Sequence, residues 1–260
     1  MGFLITWDES TIVAVALVLF LLACEAGYRI GLKHHAGANE PTRSHVNALQ
    51  ATVFGLLALL LAFTVSMALS RYETRKELVL AEANAIGTAA LRASLLADAQ
   101  RSEATTLLRQ YVDARLAFYN AGIDPARLAA AAADTTRLQQ ALWAIAVRTT
   151  KDDARSVPAG LFVQALNDVI DLDTKRAQAL RDHIPAPVLY LVLATALVAL
   201  GFLGAGCGLD ARRRFGSTAI VCLLLALVLA VILDLDRPRR GLIQVSQDSM
   251  LGLKASLAKP

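Results

Sequence analysis

The residue types that most often carry chemistry are sparse in this chain and do not converge. His34, His35 and His45 fall in one polar connection. Three nearby imidazoles can form a weak metal site, but no CxxC or Cys/His spacing accompanies them, and solvated loop histidines are the plainer reading. Cys24, Cys207 and Cys222 all lie in apolar stretches. They read as small apolar helix residues, although a shared membrane face leaves a disulfide open. The run GFLGAGCG, 201–208, resembles a phosphate loop in composition. It has neither the preceding strand nor the following Lys, and it sits in an apolar segment, where glycines let helices pack closely. GxSxG, HExxH and locally paired His and carboxylate residues are missing. The chain therefore reads as a non-enzyme, with no cofactor implied.

A different pattern stands out between Gly55 and Thr88. Gly55, Ala58, Ala62, Ser66 and Ser70 follow one another at spacings of three or four, and Glu73, Glu77, Asn84 and Thr88 prolong the same helical face. Two readings fit. Small residues allow close helix packing in lipid. Alternatively, copies of the helix around an axis present small and hydroxyl side chains to water and ions, with Phe63 or Met67 as a hydrophobic constriction and Glu73, Glu77 and Asn84 lining a vestibule.

Charge concentrates where apolar runs end. The uncharged run from Ser217 to Leu233 gives way to DLDRPRRG, with Asp234, Asp236, Arg237, Arg239 and Arg240 in seven residues. Arg71 and Arg75 follow the Ala51–Ser70 run. A carboxylate at the edge of hydrocarbon is costly unless paired, and arginine is a bidentate partner, so an ion pair between Asp234 or Asp236 and one of these arginines is expected. Glu25 and Arg29 are one helical turn apart and should pair locally.

The elements that must position these residues are membrane helices. Of 260 residues, 56% are hydrophobic and 18% charged, and the mean hydropathy is +0.49, far from a soluble globular composition. The net charge of +4 comes mostly from residues beside apolar segments, where they anchor helices, which argues against nucleic acid as a partner. Runs at Thr11–Tyr28, Ala51–Ser70, Pro187–Leu209 and Ser217–Leu233 each suit a span of roughly 20 residues. The first is not a cleavable signal, since the residues before it hold no Lys or Arg and end in Asp8 and Glu9. Residues 1–70 form a first pair of spans, 71–186 a helical extramembrane domain, 187–236 a second pair, and 237–260 a tail.

The central segment has helical periodicity and no strand alternation. Its 15 basic and 14 acidic residues balance, so it is no trap for a charged macromolecule. Gly122 ends one helix, Asp124 and Pro125 open the next, and Pro158 opens a last helix running to His183. Both chain ends and this domain share one side of the membrane. The Lys/Arg vote on which side is cytoplasmic is split.

Two blocks, SMALSRYETRKELVLAEANAIGTAALRASLL from Ser66 and LDLDRPRRGLIQVSQ from Leu233, resemble the signatures of bacterial membrane proteins grouped as a bestrophin-like domain of unknown function. The resemblance covers almost the whole chain. It implies kinship with bestrophins, which are pentameric anion channels with four spans, a pore-lining second helix and a cytoplasmic helical region. No stretch aligns with the bestrophin neck or calcium-binding residues.

The expectation is an all-α integral membrane protein with a helical domain between spans two and three. It would be a homo-oligomeric channel or channel-like protein of the bacterial inner membrane, with the lipid bilayer, inorganic ions and its own copies as partners. The resemblance implies a pentamer, with the central domain and both termini in the cytoplasm. A non-conducting sensor or scaffold is the alternative.

Overall fold

The computed structural model describes residues 9–258. Asp8 and the rest of residues 1–8, on which the signal-peptide reading drew, lie outside the described residues. Eight α-helices are named here in chain order: α1 Glu9–His34, α2 Glu40–Ala93, α3 Asp98–Asn120, α4 Pro125–Asp152, α5 Val157–Arg181, α6 Ala186–Leu209, α7 Phe215–Asp236 and α8 Asp248–Ala258. A 3-10 turn, His35–Gly37, follows α1. No strand occurs among the described residues.

The fold class is therefore the expected one, all-α, and among the described residues four helices are long and apolar enough to cross a membrane. They are α1, α2, α7 and the apolar part of the Val157–Leu209 stretch, which is α6. The chain divides into two compact units, one of residues 1–71 and 183–237, the other of residues 72–182 and 238–260. The C-terminal tail thus belongs with the central helices.

Local signals account for the helix ends. Asn39 caps α2, its Oδ1 accepting from Thr42 N at 3.0 Å, with Pro41 in the first turn where its missing N–H costs nothing. No further proline interrupts the 54 residues of α2, which at 1.5 Å per residue is about 80 Å of unbroken helix. Asp124 Oδ1 accepts from Ala126 N at 2.9 Å and from Arg127 N at 3.2 Å, directly before Pro125. Gly122 takes the left-handed conformation, φ +58°, that ends α3. The connections are shorter than the apolar runs imply: α1 continues to His34 and α2 resumes at Glu40, so His45 is helical and only residues 35–39 link the two.

In the first unit, α1 and α6 meet backbone to backbone. A Cβ at Gly27 would lie 2.0 Å from Gly201 O, one at Gly31 2.2 Å from Ala205 O, one at Gly204 2.0 Å from Cys24 O, and one at Gly208 2.2 Å from Tyr28 O. Each helix thus offers two glycines four apart to the other. The glycine-rich run 201–208 is a packing surface, as expected from small residues in lipid. Phe20, Leu57, Val192, Leu200, Cys222 and Ala226 fill the space around this contact. The cysteines are free, with the Sγ atoms of Cys24 and Cys222 3.7 Å apart. Thr64 and Thr195 return their hydroxyls to Leu60 O and Leu191 O, which satisfies both inside an apolar core. Val18, Leu22, Leu59, Ile220 and Leu224 point outward and exposed, as suits spans surrounded by hydrocarbon rather than water.

The second unit is a helical bundle of the later part of α2 with α3, α4, α5 and α8. Val79 and Ile86 from α2, Leu108 and Tyr111 from α3, Leu138 and Ile145 from α4, and Phe162 and Val169 from α5 form its core. Val245 and Met250 join them. After α7 ends at Asp236, Gly241 turns the chain with φ +99°, and the GLIQVSQ segment lies back on the helical bundle.

Candidate functional site

The two faces of α2 differ along its whole length. Leu57, Thr64, Ala68, Arg75, Val79, Glu82, Ile86 and Ala93 are buried. Gly55, Ala58, Ala62, Ser66, Ser70, Glu73, Glu77, Asn84 and Thr88 are all exposed, about half a turn round the helix from the buried set. A Cβ at Gly55 would meet nothing within 4 Å. Phe63 is 63% exposed beside them. Among the described residues, no ion pair involves Glu73 or Glu77. Burial on α2 thus falls on one face and leaves the small and polar face open.

On the buried face, α2 contributes Glu82 to a charge network that the sequence reading missed. The Glu82 side chain is fully buried. Arg115 Nε from α3 lies 2.7 Å from its Oε1; this N–H makes no hydrogen bond, so the contact is one of charge. Arg176 of α5 donates to Oε2. Arg115 Nη1 also reaches Asp173 Oδ1 at 2.6 Å. Gln139 of α4 donates to Asp173 Oδ2 at 2.8 Å and to Tyr111 Oη at 3.2 Å. Gln247 Oε1, from the tail, accepts from Arg176 Nη2 at 3.3 Å. Arginines from α3 and α5 thus meet on the Glu82 carboxylate of α2, and Gln139 of α4 and Gln247 of the tail join them through Asp173, Tyr111 and Arg176.

Electrostatics holds Arg115 charged and Tyr111 neutral. Burial works against the Arg115 charge, but the Glu82 carboxylate, with Tyr111 and Asp173 behind it, raises the guanidinium above its usual pKa. Burial, reinforced by Glu82 and Asp173 and opposed by Arg115, pushes the Tyr111 phenol well above 10. A buried ion set of this kind stabilises little against an apolar core, but it fixes which groups must meet.

The expected membrane-edge charges have definite places. Arg75, buried on α2, donates from Nε to Ala179 O at 3.0 Å and from Nη2 to Asp182 O at 2.7 Å, closing the C-terminal end of α5. At the end of α7, Asp234, Asp236 and Arg237 are all buried. Asp236 Oδ1 accepts from Ile184 N at 3.0 Å, and His183 Nδ1 lies 3.2 Å from its Oδ2. Asp236 thereby pins the turn that leads into α6. Arg239 stacks on Phe118, 4.3 Å from the ring centroid. Glu25 pairs with Arg29 at 2.8 Å, as expected, and also takes both oxygens to Arg213 Nη2 at 2.9 Å. His34 Nδ1 lies 2.9 Å from Ile30 O and His35 Nδ1 2.6 Å from Leu209 O; no metal-ligating cluster occurs among the described residues.

Residues 14–250 match the bestrophin-like domain. The chain belongs to the bestrophin-like family. Comparison with curated proteins and with solved structures gave no match. This bestrophin-like chain is thus a membrane protein whose family is shown.

Proposed function

We propose that the bestrophin-like chain assembles with its own copies around an axis and conducts ions along the open face of α2. The observation that carries this reading is the exposure of Gly55, Ala58, Ala62, Ser66 and Ser70 on a helix whose buried residues lie on the opposite face. A continuous stripe of small and hydroxyl groups is a suitable wall for a hydrated ion path, and Phe63 beside it suits a dewetting constriction. Glu73, Glu77 and Asn84 prolong the path into a vestibule, where the carboxylates favour cations, while bestrophin kinship favours anions.

In this reading the chain is no enzyme; the Glu82 network and the α1–α6 glycine contact are the framework that holds α2 in place. The protein resides in the bacterial inner membrane with the helical unit in the cytoplasm, five copies following from the kinship. Subunit counting by native mass spectrometry of the detergent-purified protein tests the assembly. A ring of four or more copies supports the reading. A strict monomer removes the pore and returns the chain to a sensor or scaffold role.

A further inference from the structure

A groove in the first unit opens between α1, α6 and the start of α7. Its volume is about 310 Å³, and Val18, Leu21, Leu22, Cys207, Phe215 and Thr218 are among its walls. A single water needs roughly 10–15 Å³ on the same measure, so the space suits a chain-like ligand rather than an ion. The glycine contact explains why it exists. At Gly204, α6 meets the backbone of α1, and neither Gly204 nor the short Cys207 fills the space toward α7. Leu22 and Phe215 are exposed beside it, so the groove opens sideways, where a spanning helix faces hydrocarbon. From Val18 to Tyr28, both lining residues, α1 rises about 15 Å. That is half of a hydrocarbon core of roughly 30 Å, the depth of one leaflet.

The inner part of the groove is apolar and its mouth is basic. Glu25, Tyr28, Arg213 and Arg214 form the mouth. Glu25 is already shared by Arg29 and Arg213, and Arg213 also lies over the Tyr28 ring, 5.1 Å from its centroid. Asp210, which opens the connection to α7, is taken by Arg43. Arg214 is exposed and makes no ion pair among the described residues. The helix that it precedes, α7, has no side-chain cap on its first N–H groups. An apolar trough one leaflet deep, with an uncommitted guanidinium at its mouth, complements an amphiphile with an anionic head and a hydrocarbon tail.

We propose that this groove binds one anionic glycerophospholipid of the surrounding bilayer, an acyl chain lying along Val18 and Leu22 and the phosphodiester meeting Arg214. Free phosphate lacks the tail that the apolar walls select. A zwitterionic lipid brings its own ammonium to a mouth where two guanidiniums already share one carboxylate. The site depends on the spans alone and stands whether or not the chain conducts.

The test is native mass spectrometry of the delipidated full chain in detergent, titrated with phosphatidylglycerol or with phosphatidylcholine of the same acyl chains. The wild type should bind the anionic lipid about fivefold or more tightly. Arg214→Gln should remove most of that preference, and Cys207→Phe, which fills the apolar part, should weaken the binding of both lipids. Equal affinity of the wild type for the two lipids, or a preference unchanged in Arg214→Gln, overturns the proposal. Glycerol phosphate that displaces the lipid at equal concentration also overturns it, because the head alone is then recognised. A changed subunit number in Cys207→Phe with lipid binding intact assigns the groove to a second copy and overturns it too. If Cys207→Phe fails to fold, Arg214→Gln and the glycerol phosphate competition decide.

Discussion

Arg115 Nε stands 2.7 Å from Oε1 of Glu82, with 4% and 0% of the two side chains exposed. This contact joins α3 to the long helix that carries the open face. Removing one member of a buried pair strands the other charge. Glu82→Gln should therefore destabilise the helical unit by about 3–5 kcal/mol, and a second change, Arg115→Met, should recover part of that loss. Chemical denaturation of the purified variants, arranged as a double-mutant cycle, measures the coupling. Additive losses would show that the two residues act independently.

The α1–α6 crossing tolerates no side chain. Gly27→Ala places a Cβ 2.0 Å from Gly201 O, which belongs to backbone and cannot rotate away. A loss of about 1–3 kcal/mol or more follows from such overpacking. Gly55→Ala meets nothing within 4 Å in the same chain and should leave folding intact. Yield and monodispersity in detergent distinguish the two; equal behaviour would contradict the packing argument.

Tyr111 supplies a pH dependence with a defined sign. Its folded pKa lies above the ordinary value of 10 because of burial first and Glu82 second. The stability that it contributes is fully present below pH 10 and is lost as pH rises through the folded value. Tyr111→Phe should cost about 1 kcal/mol at neutral pH, and the gap to the wild type should narrow above pH 10. Midpoints of unfolding across pH 7–11 check this, and a gap independent of pH would remove the phenol from the network.

Asp236 holds Ile184 N and approaches His183. Asp236→Ala leaves a buried backbone donor without its acceptor, a loss of about 1–3 kcal/mol. Assembly should weaken before any conductance changes. Native mass spectrometry beside flux measurement separates the outcomes, and normal oligomers with altered selectivity would place Asp236 in the ion path instead.

The sequence discloses the helices because each is signalled locally: an uncharged run for a span, Asp124 before Pro125 for a start, Gly122 for a stop. The α2 stripe is legible for the same reason, since spacing within one helix fixes a face. Glu82 was not legible. It is the one acid in AEANAIG and no neighbouring residue type marks it as buried, and its partners Arg115 and Arg176 are distant in sequence and sit among exposed residues of their own type. Nothing local separates a buried arginine from a surface one; only the hydrophobic positions around Arg115, namely Tyr111, Val112 and Leu116, mark that it shares the inward face of α3. The return of Gln247 to Arg176 depends on the turn at Gly241, which composition alone does not direct.

The proposed ion path is tested most directly by flux through liposomes containing the purified protein, under K⁺ and Cl⁻ gradients, comparing the wild type with Ala62→Trp and Ser66→Glu. The wild type should conduct, Ala62→Trp should cut flux at least about tenfold by filling the open face, and Ser66→Glu should shift the balance toward K⁺. A silent wild type, or variants whose flux is unchanged while their oligomers remain intact, would contradict a path along α2.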